Sequence, residues 1–540
     1  MSTFLFKPRP LTFASLVHLA LLAQTQIPPA IDRGSVVNQA SRMPASLPAG
    51  STARGARFTL SGVRLGPPGA VQASEADPPV SLDGVEVRIV QGAREIPVGI
   101  LRAGAARIDG VIPASAPIGR AELIASYNGV SSEPYPIALV DASFGFFTPE
   151  TAPPELLDAR HPPTASPGET ITVWGTGSGS AQPQMFLAGK LVAIRSFRDE
   201  ACCRGVARLE LQIPSEAPRG CYVPLQAIAG GRPSNVIGIS IQSPGEGCRD
   251  PIEWIEHSMR QARRAGVVAL TRVSVVPGSE LKRGSYEFDY AAAVFGNPNG
   301  ERLIAPLPPF GTCRVHSGRV SVRHVLGDLF NPSGWTGIKS MNFATGPNAA
   351  GAEISLSGHG SVKTLHSEGR RESVYSGVVG GELPLTQFRK LPLFFAPGVY
   401  HVASSGGKEI GPFDTIVETM RPIEWTNRGG LSEVARSAGV TVKWKEAGED
   451  DAVLIAAAST DPVTGDSSAC LCLAYAKDRR FQIPPLSLSN LPPSGKEDFE
   501  PGFLMISELP LQAPAAIHAT GLDAGFATFV SINARVVRFR

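Results

Sequence analysis

The sequence predicts an all-β, multidomain chain of sandwich-like units with one short linking helix. Three observations carry that reading. Charged residues are 18% of the 540, below the roughly 25% of an average globular chain. Gly 57 and Pro 48 together make about a fifth of the chain, against about 12% in average usage. Short stretches of alternating apolar and polar residues recur between these turn formers, which is the period of a half-buried strand.

A length of 540 residues suits several domains, and 43% apolar residues suffice for packed cores. Lys+Arg 50 against Asp+Glu 48 leaves a formal charge of +2. No basic excess is available to neutralise a run of phosphates, so nucleic acid is not an expected partner.

Residues 1–25 read as a secretory signal peptide. Lys7 and Arg9 precede an apolar run from Leu11 to Ala23, and small residues at Ala23 and Thr25 suit cleavage nearby. The run is too short for a membrane span, and no later segment has 18 uninterrupted apolar residues. A secreted or cell-surface location is therefore expected, with no transmembrane segment in the mature chain.

Cysteine usage agrees. The seven are Cys202, Cys203, Cys221, Cys248, Cys313, Cys470 and Cys472. The first four fall close together and are disulfide candidates in an oxidising compartment. Their spacing lacks the two close pairs of a zinc site, and no metal or other cofactor is expected. Adjacent cysteines are expected to reach different strands or loops. Three connectivities of the four stay open, and an odd count leaves at least one thiol free or paired between chains.

Two stretches repeat. Val111-Ile-Pro-Ala-Ser-Ala-Pro-Ile-Gly119 matches Gln212-Ile-Pro-Ser-Glu-Ala-Pro-Arg-Gly220. Each continues into an apolar strand, a glycine turn and a serine, Ser131 in one copy and Ser234 in the other. Upstream, Phe58-Thr-Leu-Ser-Gly62 aligns with Ile171-Thr-Val-Trp-Gly175. A unit of about 100 residues is the size of an immunoglobulin-like (Ig-like) sandwich. The copies are placed at 34–141 and 142–248.

Ser35 to Ser41, Ser166 to Gly177 and, most specifically, Cys202-Cys-Arg-Gly-Val-Ala-Arg-Leu-Glu-Leu-Gln-Ile-Pro214 with Gly220-Cys221 and Cys248 resemble a bacterial family of uncharacterised exported proteins with Ig-like (IPT/TIG-type) modules. The first copy departs from it by lacking cysteines and by an insert from Pro67 to Pro79. The resemblance implies an exported sandwich module and transfers no catalytic residue.

Residues 251–265 form the expected linking helix, with Ile252, Ile255, Met259 and Ala262 on one stripe. β-rich domains are placed at 266–420 and 421–540. In the second, Val440, Val442 and Trp444 share one strand face, which makes Trp444 a core residue.

Chemistry-bearing motifs are sparse. Gly175-Thr-Gly-Ser-Gly179 follows a strand without a helix to aim donors at a phosphate, and reads as a turn. Ser357-Gly-His-Gly-Ser361 reads as another turn, with no nucleophile motif beside His359. The acidic loop Glu446 to Asp451 lacks the ordered alternation of a calcium loop. Trp174 lies opposite Ile171 and Val173 and is expected to face outward, against a sugar ring or a domain interface. Trp335, on a loop, is a second possible ligand contact. No catalytic residue is named. The expectation is an exported, non-enzymatic binding or structural protein engaging cell-surface or matrix polysaccharide or a surface protein; the alternative is an exported hydrolase, or an accessory domain of one, acting on polysaccharide.

Overall fold

The computed structural model describes residues 27–540 apart from 157, 159–162, 244, 251–252, 278–284, 298–305, 319–349, 369–370, 383–389, 446–447, 449, 495–501 and 512–513. The chain is all-β and multidomain, as expected. The expected signal peptide and Trp335 lie outside the described residues.

In the first sandwich, strands Arg57–Val63, Arg107–Val111 and Gly99–Ala103 form one sheet. Val85–Gln91, Gly119–Tyr127 and Tyr135–Val140 form the other. Alternation puts Phe58, Leu60, Val87, Ile89, Ile108 and Leu123 between them. The second sandwich repeats the plan. Thr170–Thr176, Ala207–Gln212 and Ile194–Asp199 face Gln184–Leu187, Gly220–Ala229 and Ile237–Ile241. Ile171, Val173, Leu209, Leu225 and Ile239 fill its core.

The copies match in detail. A short parallel pair closes each, Thr52–Ala53 on Leu139 and Val140, and Thr164–Ala165 on Ser240 and Ile241. The amide of Ala116 bonds Pro113 O, and that of Ala217 bonds Pro214 O. The equivalent of Ser234 is Ser132, one residue beyond the serine that the sequence aligned: Ser132 Oγ accepts from Ala125 N (3.1 Å) and Ser234 Oγ from Ala227 N (2.8 Å). The extra residue enters the second copy at a bulge between Gly220 and Val223, where one strand lodges an unpaired residue. Cys221 sits in that bulge and is bonded to Cys248.

The helix Glu253–Gln261 follows, and Met259 and Ala262 pack on the next sheet. That sheet corrects the expected boundary at residue 420. Strands from both sides of it join in one 14-stranded sheet. Its spine is Ala265–Val276 running parallel to Ala524–Phe539, paired from Ala265↔Ala524 to Val276↔Arg535.

Two cores divide along this spine. One holds Val268, Leu270, Leu365, Tyr400, Phe413 and Phe529, inside a sheet that curls until Thr415 Oγ1 donates to Ala516 O at 2.8 Å. The other holds Cys313, Trp425, Trp444, Ile455, Cys472 and Phe539, between the far end of the sheet and a three-stranded sheet, Glu424–Trp425, Val440–Lys445 and Arg480–Ile483. Trp444 is in this core as the alternation requires, and its Nε1 donates to Ala476 O at 2.8 Å.

Candidate functional site

A cleft lined by both copies opens at the junction of the two sandwiches. Its volume is about 770 Å³, within the roughly 300–1,000 Å³ of small-molecule sites. The first sandwich contributes Arg54, Asp77 and Pro113, and the second Ser178, Glu200 and Arg204. Guanidinium, carboxylate, hydroxyl and exposed main chain line it together.

The walls are fixed by polar bonds that cross the junction. Arg57 has a fully buried side chain. Its guanidinium donates to the Glu75 carboxylate and, through Nε, to Arg204 O at 2.6 Å. The amide of Arg204 returns a bond to Glu75 O at 2.7 Å. Burial lowers the Arg57 pKa, which the Glu75 charge opposes. Thr176 Oγ1 accepts from Arg57 N (2.8 Å) and donates to Gly205 O (2.6 Å). Asn38 Nδ2 donates to Ser143 O (3.2 Å) and Thr176 O (3.4 Å). Glu75 belongs to the insert that sets the first copy apart, so the departure from the repeat is what reaches across to the second.

The glycine-rich segment is a cleft wall rather than a simple hairpin turn. Gly177 and Gly179 have φ of 84° and 72°, the left-handed region that glycine enters freely. A Cβ at Gly179 would stand 2.7 Å from Asp141 O. Two small residues thus let the second sandwich lie flat against the connecting chain.

Trp174 corrects the expectation of an exposed ring. It does point away from the sandwich core, but only 9% of it is exposed. Ala40, Phe147, Leu156, Cys203 and Val206 cover it, and its Nε1 donates to Glu200 Oε2 at 3.3 Å. Of the two roles read from the sequence, it fills an interface.

The cysteines correct a second expectation. Cys202 and Cys203 are bonded to each other instead of to separate strands. The ring they form sits in a tight loop in which Glu200 N bonds Val206 O at 2.8 Å. Cys203 is buried against Trp174, while Cys202 faces solvent. A third bond, Cys313–Cys472, joins two strands of the large sheet, and Cys470 is the free, buried thiol.

Two carboxyl groups approach each other in the second half. Asp451 and Glu508 are 8% and 5% exposed, and each influences the other's ionisation. Glu508 Oε1 accepts from Gly448 N at 2.8 Å. Burial, with Asp451 beside it, pushes Glu508 up to about 7 and raises Asp451 as well. Burial disfavours the ionised form that calcium requires; Glu446 and Glu449 of the same acidic loop lie outside the described residues. His359 occupies the expected turn at φ 47°, its ring 5.5 Å from that of Tyr400.

Sequence reading missed Arg57, Glu75 and Arg204. The signal for Glu75 was the insert itself; Arg57 was readable only as the residue before Phe58.

No protein-family model matches this chain, and no curated protein matches it. Among solved structures it is similar to SGBP-B of the Bacteroides ovatus mixed-linkage glucan utilization locus in complex with a mixed-linkage heptasaccharide. That likeness has 10% identity and a TM-score of 0.19, over 36% of this chain and 44% of the other. Titin Ig tandem domains A164-A165 follow at 13% identity and TM-score 0.14, over 40% and 97%. Surface layer protein SbsC domains 4-9 match at 9% and 0.14, over 86% and 60%. The chain spans less than half the length of the glucan-locus protein. Likenesses at these scores carry no argument about function.

Proposed function

We propose that the chain is an exported, non-enzymatic binding protein of the Ig-like (IPT/TIG) kind, which holds cell-surface or matrix polysaccharide in the cleft between its two sandwiches. The carrying observation is the fixed cleft of about 770 Å³ with walls from both copies. Its mixture of Arg54, Asp77, Ser178, Glu200 and Arg204 offers donors and acceptors of both signs, which suits hydroxyl-rich ligands better than apolar or polyanionic ones. A rigid site loses little entropy on binding, and the buried bonds at Arg57, Thr176 and Asn38 supply that rigidity. Disulfides at Cys202–Cys203, Cys221–Cys248 and Cys313–Cys472 suit an extracytoplasmic setting. No helix among the described residues is long and apolar enough to cross a membrane.

One observation bears on the alternative, an exported hydrolase. Asp451 and Glu508 are a carboxyl pair with one member raised to about 7. Glycosidase carboxyls flank a site open to a sugar and a water, whereas Asp451 and Glu508 are 8% and 5% exposed. That burial supports the binding reading over a catalytic role for this pair.

The test is co-sedimentation of the full chain with insoluble polysaccharides and bacterial envelopes, with released sugar assayed in the same tubes. Binding without release is expected. Sugar release would replace the reading with the hydrolase, and no sedimentation with any polysaccharide would remove it.

A further inference from the structure

Three cysteines of the second half meet in one core. Cys313 lies on the terminal strand Thr312–Gly318, whose neighbour Ser467–Tyr475 carries Cys470 and Cys472 two residues apart, hence on one face. Cys313 stands opposite Cys472 and is bonded to it, while Cys470 stands opposite Val315 with its thiol free. The Sγ atoms of Cys470 and Cys472 are 3.7 Å apart, and all three sulfurs lie within 4.8 Å of one another. Val315, Ile455 and Ala457 pair with these cysteines across the sheet and share their core. A cross-strand disulfide needs two sulfurs; the third sits where any small apolar residue would pack.

We infer that, once the Cys313–Cys472 bond is reduced, the three sulfurs form a binding site for a thiophilic cation of low coordination number, monovalent copper being the best fit. Soft thiolate ligands select such ions. A cation bound at about 2.3 Å from three sulfurs in one plane separates them by about 4.0 Å, close to the spacing already present. Val315, Ile455 and Ala457 bring no oxygen or nitrogen side chain to the sulfurs, and the polar neighbour of Cys470, the buried Ser487 hydroxyl, is a neutral donor that leaves a set dominated by soft sulfur. Cys313, on the end strand of the sheet and 8% exposed, marks the entry side.

The chemistry balances with an external dithiol. It gives two electrons and two protons to the Cys313–Cys472 bond and leaves as a disulfide, and both cysteines become thiols. The cation then displaces thiol protons to solvent. Oxidation by an external disulfide reverses the change and expels the ion, so bond and ion exclude each other.

The test uses the full chain, reduced anaerobically with a dithiol, freed of it, and titrated with cuprous ion against a competing chelator. Reduction also opens Cys202–Cys203 and Cys221–Cys248, so the comparison is with Cys470→Ser treated identically, since only this sulfur differs. The reduced protein should hold one more copper than Cys470→Ser, with three sulfur neighbours per copper by X-ray absorption after those four cysteines are replaced by serine. Equal copper content in the two proteins, or two sulfurs per copper, would overturn the proposal. So would loss of the sheet's circular dichroism on reduction, because the site needs the sheet to hold its sulfurs.

Discussion

The buried guanidinium of Arg57 and the carboxylate of Glu75 form an ion pair inside the junction of two sandwiches, and the same Arg57 reaches Arg204 O in the second. A charge removed from water is tolerated when paired and costly when its partner is lost. The pair therefore holds the cleft walls in register and stakes the fold of the junction on one carboxylate.

Glu75→Ala should destabilise the protein by about 3–5 kcal/mol by leaving Arg57 charged and unpaired. Chemical denaturation measures it. Replacing both, Arg57→Met with Glu75→Leu, should recover much of the loss, and a Glu75→Ala protein as stable as wild type would show that the pair does not couple the modules.

Trp174→Ala should act on stability first. The ring is packed by Phe147, Leu156 and Val206, and truncating a buried Trp costs about 3–5 kcal/mol. A lowered unfolding midpoint is expected; unchanged stability would return the ring to the surface role read from its strand position.

That reading shows what a single sequence carries. Alternation placed Trp174 correctly opposite Ile171, but what covers it comes from Ala40 and Leu156, residues of other segments that no local period reports. The duplication was legible because Pro113 and Pro214 terminate strands locally. The pairing of Ala265–Val276 with Ala524–Phe539 was not, since parallel neighbours far apart in sequence share no turn to announce them. The same distance hid the meeting of Cys313 with Cys472 and the sharing of one sheet across residue 420.

Stability should respond to pH through two opposed groups. Burial lowers His316 to about 4, so the native state binds fewer protons than the unfolded one. Its contribution is present above about pH 6.5 and lost as pH falls towards 4. Glu508, raised to about 7, contributes fully below about pH 4.5 and loses its effect as pH rises to 7. The two largely cancel between. Glu508→Gln should unmask a stability that falls on acidification, and His316→Phe one that falls as pH rises from 4.5 to 7. Unfolding titrations of both variants that matched wild type at every pH would rule out these assignments.

Peptide mapping without reduction should recover Cys202 bonded to Cys203, Cys221 to Cys248 and Cys313 to Cys472. Burial pushes Cys470 up to about 12, and the scarce thiolate makes it slow to alkylate in the native protein. Alkylation of one thiol per chain only after denaturation is expected; rapid native labelling would contradict its burial.

The most direct measurement of the central claim is polysaccharide binding by Ser178→Trp, which fills the cleft from a position outside the Arg57–Glu75 bonds. The account predicts an unfolding curve like that of wild type with binding reduced at least about tenfold, a loss of about 1.4 kcal/mol. Unchanged affinity in a folded Ser178→Trp protein would place the ligand elsewhere and contradict it.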